Sequence, residues 1–312
     1  MAEHNNLYPL VSIISINYDH PEVTCQMLDS LRNITYPNVE VIIVDNASPK
    51  DDPSIIPARY PEVKFIQLEK NLGFAGGNNV GIRQAKGKYI LLLNNDTEVT
   101  PDFLEPLVEK LEKNPEIGVV SPKIKFHHTP DTLQFTVITP INKFTGRSKG
   151  LGFGVKDTGQ WEFDAETAYA HGAAMMVPRK VIEKVGLMAE IYFLYYEELD
   201  WCYRIRQAGY KIYYVHNSLV YHKESISTGK MSPTKIYWMN RARLLYMRRN
   251  VEQPILTLAL LYQFLIAIPK NALMYLLKGR PDLFKAYHKA VMWHLQNWKN
   301  PEIHFNPKFY IL

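Results

Sequence analysis

Three acids stand together in the run Glu197-Glu198-Leu199-Asp200, directly behind the aromatic stretch Ile191-Tyr-Phe-Leu-Tyr-Tyr196. Acids favour the first turn of a helix through its macrodipole, so the run reads first as a helix start. The aromatic stretch adds a second reading. Against such a wall a carboxyl group loses hydration, and its pKa rises into a range useful to a general base. A second polar cluster, Asn94-Asn95-Asp96, closes the apolar run KYILLL. A carboxylate beside amides can hold a divalent cation through oxygen ligands, with a diphosphate completing the shell. The same three residues also make an ordinary turn. His222 follows Ser218-Leu-Val-Tyr221. A lone histidine is usually structural, and it joins Asp96 only if the two face one cleft.

Glycines supply a third kind of chemistry. In Asn71-Leu-Gly-Phe-Ala-Gly-Gly-Asn-Asn79 three glycines let the backbone approach a ligand, and a helix behind them presents N–H groups to an anion. An ordinary strand-to-helix turn has the same composition. Gly150-Leu-Gly152-Phe-Gly154 is not a dinucleotide fingerprint: Val155 and Asp157 stand where the third glycine is needed, and no clear strand precedes it. The run reads as a flexible loop. The chain also has no GxxxxGK[ST] phosphate loop, which argues against a kinase or ATPase.

The elements that must position these residues are legible in the periodicity. Residues 11–17 (VSIISIN), 39–45 (VEVIIVD), 63–68 and 88–93 read as strands, the first two buried on both faces. Helices are expected from Pro21, over 79–86 behind the glycine turn, and from Thr100-Pro101 to about Lys113. Strands alternating with helices imply a Rossmann-like, mostly parallel α/β sheet with helices on both faces. Ligands of such sheets bind at the carboxyl ends of strands, which here carry Asn17, Asp45 and Asn94 to Asp96. Residues 125–165 read as a mobile loop over the cleft. Order returns over 168–178, in a helix after Arg179 and in another from Glu197 to about Ala208; 211–215 and 218–222 resemble edge strands.

The 312 residues, 46% hydrophobic and 21% charged, suit a globular chain of one large domain or of one domain plus an appendage. Residues 235–312 carry twelve Lys or Arg against three Asp or Glu, so nine positive charges in excess sit in a chain of net charge +5, and the remainder is net −4. Such a tail suggests either a polyanionic partner, nucleic acid or an anionic membrane surface, or a solvated basic face. Cys25 and Cys202 make neither a disulfide framework nor a metal cluster and read as reduced. The opening residues show no signal peptide. Two short apolar runs, 255–268 and 272–277, fall below spanning length and suit lying in a membrane interface or packing as a helical hairpin.

The runs Val11–Tyr18, Val41–Ser48, Asn71–Ile82, Leu91–Asp96, Gly172–Met176, Tyr195–Arg204 and Val220–His222 occur in an order that resembles the family 2 glycosyltransferases of GT-A fold, in their bacterial rhamnosyltransferase-like branch. The resemblance covers roughly residues 8–250 and implies a catalytic domain over 1–250 with a basic, apolar helical extension over 251–312. It implies an inverting hexosyltransferase of cell-surface polysaccharide synthesis. Nucleotide-sugar contacts then fall to Asn17, Tyr18, Asp45, Gly76, Asn78, Asn94 and Asn95. A Mg²⁺ or Mn²⁺ would rest on Asp96 and His222, and Glu198 would be the base. His171, Glu197 and Asp200 would lie on the acceptor side or support the base. Asn94 replaces the first acid of the family's metal motif, and Glu198 stands where Asp is more usual. The implied partners are a dTDP- or UDP-sugar donor, a glycan or lipid-linked acceptor and an anionic membrane surface, with no nucleic acid; a homodimer stays open. The implied location is cytoplasmic, peripheral at the inner face of the membrane. Competing readings are a non-catalytic glycan- or nucleic-acid-binding protein on the same fold, and a sugar-1-phosphate nucleotidylyltransferase. The latter would carry a GxGxR-type loop and a Lys where this chain has Asn17-Tyr-Asp-His20.

Overall fold

A computed structural model describes residues 8–223 and 231–303. Its first half alternates as β1 (Val11–Asn17), α1 (Pro21–Leu31), β2 (Val39–Asp45), α2 (Ile55–Arg59), β3 (Lys64–Gln67), α3 (Gly73–Gln84) and β4 (Tyr89–Leu93). β1 runs parallel to both β2 and β4, and β2 parallel to β3. Successive residues of one strand enter different cores. Ile14, Ile42, Val44, Ile90 and Leu92 pack on one face, and Ile13, Ile43, Leu91 and Leu93 on the other. This two-faced burial explains why these strands read as continuous apolar runs.

The chain continues through β5 (Thr97–Val99), α4 (Leu104–Lys113), β6 (Ile117–Phe126), β7 (Thr129–Phe135), β8 (Ala165–Glu166), β9 (Ala174–Pro178), α5 (Arg179–Val185), α6 (Glu197–Gln207) and β10 (Lys211–His222). The strands form one sheet in the order β3-β2-β1-β4-β9-β6-β10-β5, with β7 on β6 and β8 on β10. Then follow α7 (Pro233–Asn250), α8 (Ile255–Tyr262), α9 (Ile268–Leu277) and α10 (Pro281–Gln296).

Four expectations change. The glycines 73, 76 and 77 lie inside α3 rather than in a turn before a helix over 79–86. Residues 125–165 are not one loose loop: β7 pairs antiparallel with β6, and Lys123 and Lys125 hold Asp157. The two expected edge strands are one strand, β10, lying inside the sheet beside β6 with a register shift between Val215 and Leu219. Finally, a π-helical stretch, Gln263–Ala267, joins α8 and α9 into a single 23-residue helix, Ile255–Leu277. Pro269 lacks a donor and crowds the preceding turn, and the wider π turn accommodates it. At 1.5 Å per residue the helix is roughly 34 Å long. By length and composition it could cross a membrane, and 11% of its most apolar window is buried.

Candidate active site

A cavity of about 670 Å³ opens at the carboxyl ends of β1 and β4 and is bounded by β7, the end of β10 and the start of α6. Asp96 and His222 meet on one wall. The antiparallel pairing of β10 with β5 sets His222 opposite Thr97, which brings its Nε2 to 3.0 Å from Asp96 Oδ1. The other ring nitrogen, Nδ1, lies 2.8 Å from Oε1 of Gln134, on β7. With that oxygen accepting, Nδ1 carries the proton and the Nε2 lone pair faces the Asp96 carboxylate. Two electron-rich atoms at 3.0 Å need a cation or a proton between them. The donor set therefore fits a divalent cation, with Gln134 orienting the imidazole as outer-shell partners of metal-bound histidines do. Among the described residues no cluster of three His, Cys, Asp or Glu side chains is suited to a metal. The His171 ring lies 5.9 Å from that of His222 and its Nδ1 accepts the Ala173 N–H. Burial, reinforced by His222, pushes the His171 pKa down to about 3, so it is a neutral wall of the cavity.

Glu197 and Glu198 face the same cavity from the first turn of α6. Burial raises the pKa of Glu197 well above the usual carboxylate value, and Glu198 raises it further; its Oε2 has no partner among the described residues. Burial likewise lifts Glu198 to about 7, against the backbone N–H groups of Glu198 and Leu199. Asp200 behaves in the opposite way. Burial alone would raise its pKa, but Arg249 and Arg204 hold it at about 2. Its carboxylate is fully buried and receives Arg249 Nε at 2.9 Å, Asn250 Nδ2 at 2.9 Å and Arg204 Nε at 3.1 Å. Asp200 does not line the cavity; it clamps α6 to α7 and so positions the two glutamates.

The donor end differs from the sequence reading. Asn17 and Asp45 are fully buried and bonded to each other at 2.7 Å, with Thr24 donating to Asn17 and Ser48 to Asp45. They brace the strand ends from behind, and Tyr18 and Asn46 form the wall. Asn46 bonds the carbonyl of Gly73 and the N–H of Leu72, which locks the start of α3. Gly76 does not line the cavity either. A Cβ on Gly76 would meet Leu72 at 2.6 Å, one on Gly77 would meet Ile16 at 2.9 Å, and one on Gly81 would meet Ile14 at 2.4 Å. These glycines let α3 press onto its own first turn and onto β1. Gly73 does reach the cavity, with φ +72° and an added Cβ only 2.2 Å from the Phe193 carbonyl. Asn78, Asn94 and Asn95 line it as expected. Sequence reasoning missed Gln134, Asn46 and Trp238, and held Phe193 only as part of the aromatic run 191–196. Phe193 and Trp238 stack at 4.3 Å.

The fold is the GT-A architecture of glycosyltransferases. Among solved structures, the mannosyltransferase PcManGT of Pyrobaculum calidifontis, in complex with GDP-Man and Mn²⁺, superposes with a TM-score of 0.55 over 94% of this chain and 88% of its own, at 15% identity. The chain belongs to glycosyl transferase family 2, whose model matches residues 12–186. It is 26% identical over 214 residues to the low-salt glycan biosynthesis hexosyltransferase Agl10 of Haloferax volcanii, covering 65% of this chain. The match spans 63% of that relative's own length. It is 22% identical over 241 residues to the N-acetylglucosaminyl-diphospho-decaprenol L-rhamnosyltransferase of Mycobacterium tuberculosis, covering 71% of this chain and 78% of the relative.

Proposed function

We propose that the chain is an inverting, metal-assisted hexosyltransferase acting in cell-surface glycan synthesis, with a dTDP- or UDP-sugar as donor, rhamnose among the candidate sugars, and a glycan or lipid-linked glycan as acceptor. The observation that carries this reading is that the Asp96–His222 pair and Glu198 share one 670 Å³ cavity. Asn94, Asn95, Tyr18, Asn46 and Asn78 would hold the nucleotide sugar, with Asn17 and Asp45 fixing the strand ends behind them. Held by Asp96 and His222, Mg²⁺ or Mn²⁺ would stabilise the charge developing on the departing nucleoside diphosphate. Glu198, once ionised, takes the proton from the acceptor hydroxyl as that oxygen bonds to the anomeric carbon. The bond from that carbon to the diphosphate oxygen breaks with its electron pair leaving on the diphosphate, and the single displacement inverts the centre. Glu197 stays protonated beside it and keeps a second negative charge out of the site.

The helix Ile255–Leu277 supports a peripheral membrane location. Ala259 and Ile268 pack toward α7 and Tyr275 toward α10, so both ends of the helix lie against the protein. Its outer face exposes Leu258, Leu261, Leu265, Ile266 and Leu277. A helix held along its length in this way suits lying in the interface more than spanning it. The deciding assay is donor hydrolysis and transfer with a panel of nucleotide sugars, with Mn²⁺ and with EDTA. Turnover that needs both metal and Glu198 supports the reading, and binding without turnover of any donor would leave a binding module.

A further inference from the structure

Helix α7 carries three buried arginines and a fourth, Arg249, whose side chain is enclosed, and three of the four are compensated in plain ways. Arg249 pairs with Asp200 at 2.9 Å. Arg241 lies over Trp238 and Trp293 at 4.8 and 4.0 Å and donates to the Ile191 carbonyl, although its Nε, like that of Arg243, has no partner among the described residues. Arg248 donates to the Trp298 carbonyl at 2.7 Å. Arg243 is different. It is 6% exposed, its one hydrogen bond among the described residues runs from Nη2 to Asn240 Oδ1 at 2.7 Å, and its Nε has no partner there. No carboxylate among the described residues pairs with it. A second cation, the exposed Arg147, lies close enough to raise the cost of that charge, and it too has no acidic partner among the described residues. Buried charges are normally paired, and a desolvated guanidinium left over beside another guanidinium marks a place for an anion.

The position of the pair narrows the anion. Gly146 packs against Arg243, its hypothetical Cβ 2.8 Å from Arg243 Cγ, and its carbonyl accepts from Tyr196 Oη at 2.8 Å. Tyr196 immediately precedes Glu197 and lies within electrostatic reach of Arg243, Arg147 and Glu198. On the other side, Gln263 of the apolar helix donates to the Phe144 carbonyl at 2.6 Å. The turn 142–147 thus touches both the residue before the carboxylates of α6 and the apolar helix Ile255–Leu277, with Arg147 at its end and Arg243 packed against its Gly146. An acceptor built as sugar hydroxyl, phosphate and hydrocarbon chain has the same order.

Resting on the acceptor reading above, we propose that Arg243 and Arg147 form the site for the phosphate of a lipid-phosphate-linked acceptor, with the hydrocarbon running onto Ile255–Leu277. Charge-assisted contacts from two guanidiniums discriminate strongly between a phosphate ester and a neutral alcohol of equal chain length.

The test uses the full chain and short probes: farnesyl phosphate, farnesyl diphosphate, farnesol and inorganic phosphate, by titration calorimetry without donor. The phosphorylated farnesyl probes should bind at least about ten-fold more tightly than farnesol or inorganic phosphate. Arg147→Gln, an exposed site that does not threaten folding, should reduce that preference about five- to ten-fold. Arg243→Lys should retain part of it and Arg243→Gln should lose it, while Lys113→Gln on α4 should leave it intact. Equal binding of farnesol and farnesyl phosphate, or an Arg147→Gln protein with the preference undiminished, overturns the site. So does binding of inorganic phosphate as tight as that of farnesyl phosphate, or displacement of the farnesyl probes by UDP with Mn²⁺, which would give the anion to the donor. Because donor hydrolysis is read separately, a protein that hydrolyses donor but ignores the lipid phosphate refutes this site and leaves the transferase reading standing.

Discussion

Replacing Glu198 by Gln removes a charge that the native structure holds at a cost, so it should change activity and stability in opposite directions. The rise of its pKa from 4.5 to about 7 corresponds to roughly 3 kcal/mol between the two protonation states. Glu198 touches the cavity and some solvent, which reduces this to about 1–2 kcal/mol. A carboxyl whose folded pKa is raised contributes stability that is fully present below its unfolded pKa. That contribution is lost as pH climbs through the folded value. The amide of Glu198→Gln does not titrate, so the variant should gain on the wild type between about pH 5 and 8.5, by about 2–6 °C in Tm for a chain of this size. Glu197 adds to the gain, because its carboxyl loses a like-charged neighbour. Transfer should fall at least about 100-fold with donor Kd nearly unchanged, since the lost group acts on the acceptor proton. Wild-type kcat should in turn rise with pH through neutrality as Glu198 ionises. Differential scanning fluorimetry across pH, beside single-turnover transfer, measures both halves. A Tm difference that stays flat from about pH 5 to 8.5, or a variant keeping more than about a tenth of wild-type kcat, refutes the assignment of a desolvated base.

Asp96→Ala and His222→Ala should each weaken Mn²⁺-dependent binding of a nucleoside diphosphate by more than about ten-fold; EDTA-resistant activity that still needs Asp96 would remove the metal from the account. Gln134→Leu leaves both ligands in place but frees the imidazole, and should cost about 10–100-fold in Mn²⁺ affinity by calorimetry, with an unchanged Kd refuting its orienting role. Gly81→Ala forces a methyl against Ile14 and should destabilise the chain by about 1–3 kcal/mol in urea, whereas a neutral result would mean that α3 can lift from the sheet freely. The full chain should float with vesicles containing anionic lipid, and a Leu261→Gln, Leu265→Gln, Ile266→Gln triple variant should not; equal flotation rules out the outer face of that helix as the contact. Surface substitution is preferred to truncation because α10 packs on α7, with His294 Nε2 2.8 Å from the Arg241 carbonyl.

Strands β1 and β4 and the second half of β2 were legible because they are buried on two faces and therefore apolar. Asp96, His222 and Glu198 were singled out by the order of motifs that resembles the family, and the structure has all three lining one cavity. Composition could not reveal why the glycines of α3 are there, since close helix-on-sheet packing and close approach to a ligand both demand a missing side chain. Gln134 escaped notice because its role depends on β7 folding back onto β6 from a stretch without periodicity. Asn17 and Asp45 were placed at the correct strand ends, but sequence does not say which way a short polar side chain turns, and these two turn toward each other. The apolar helix was read as two runs, 255–268 and 272–277, because Pro269-Lys270-Asn271 interrupts the apolar pattern, while the structure carries one helix through from Ile255 to Leu277.

The segment before the base carries a consequence for engineering. Phe193, Tyr195 and Tyr196 all have φ between +65° and +69°, a region that L residues with side chains avoid at roughly 1–2 kcal/mol each. The strain is held in place by the N–H of Phe74, which donates to the Phe193 carbonyl at 2.6 Å, and by the stack on Trp238. Glycine at position 195 relieves that torsion but gives up the packing of the Tyr195 ring against the core, so a selection for heat resistance gains only where the torsion relieved exceeds the packing lost. The same substitution would let Glu197 and Glu198 sample many orientations. Thermostability and turnover are set against each other at this short stretch, and variants that gain one by this route should be found to have lost the other.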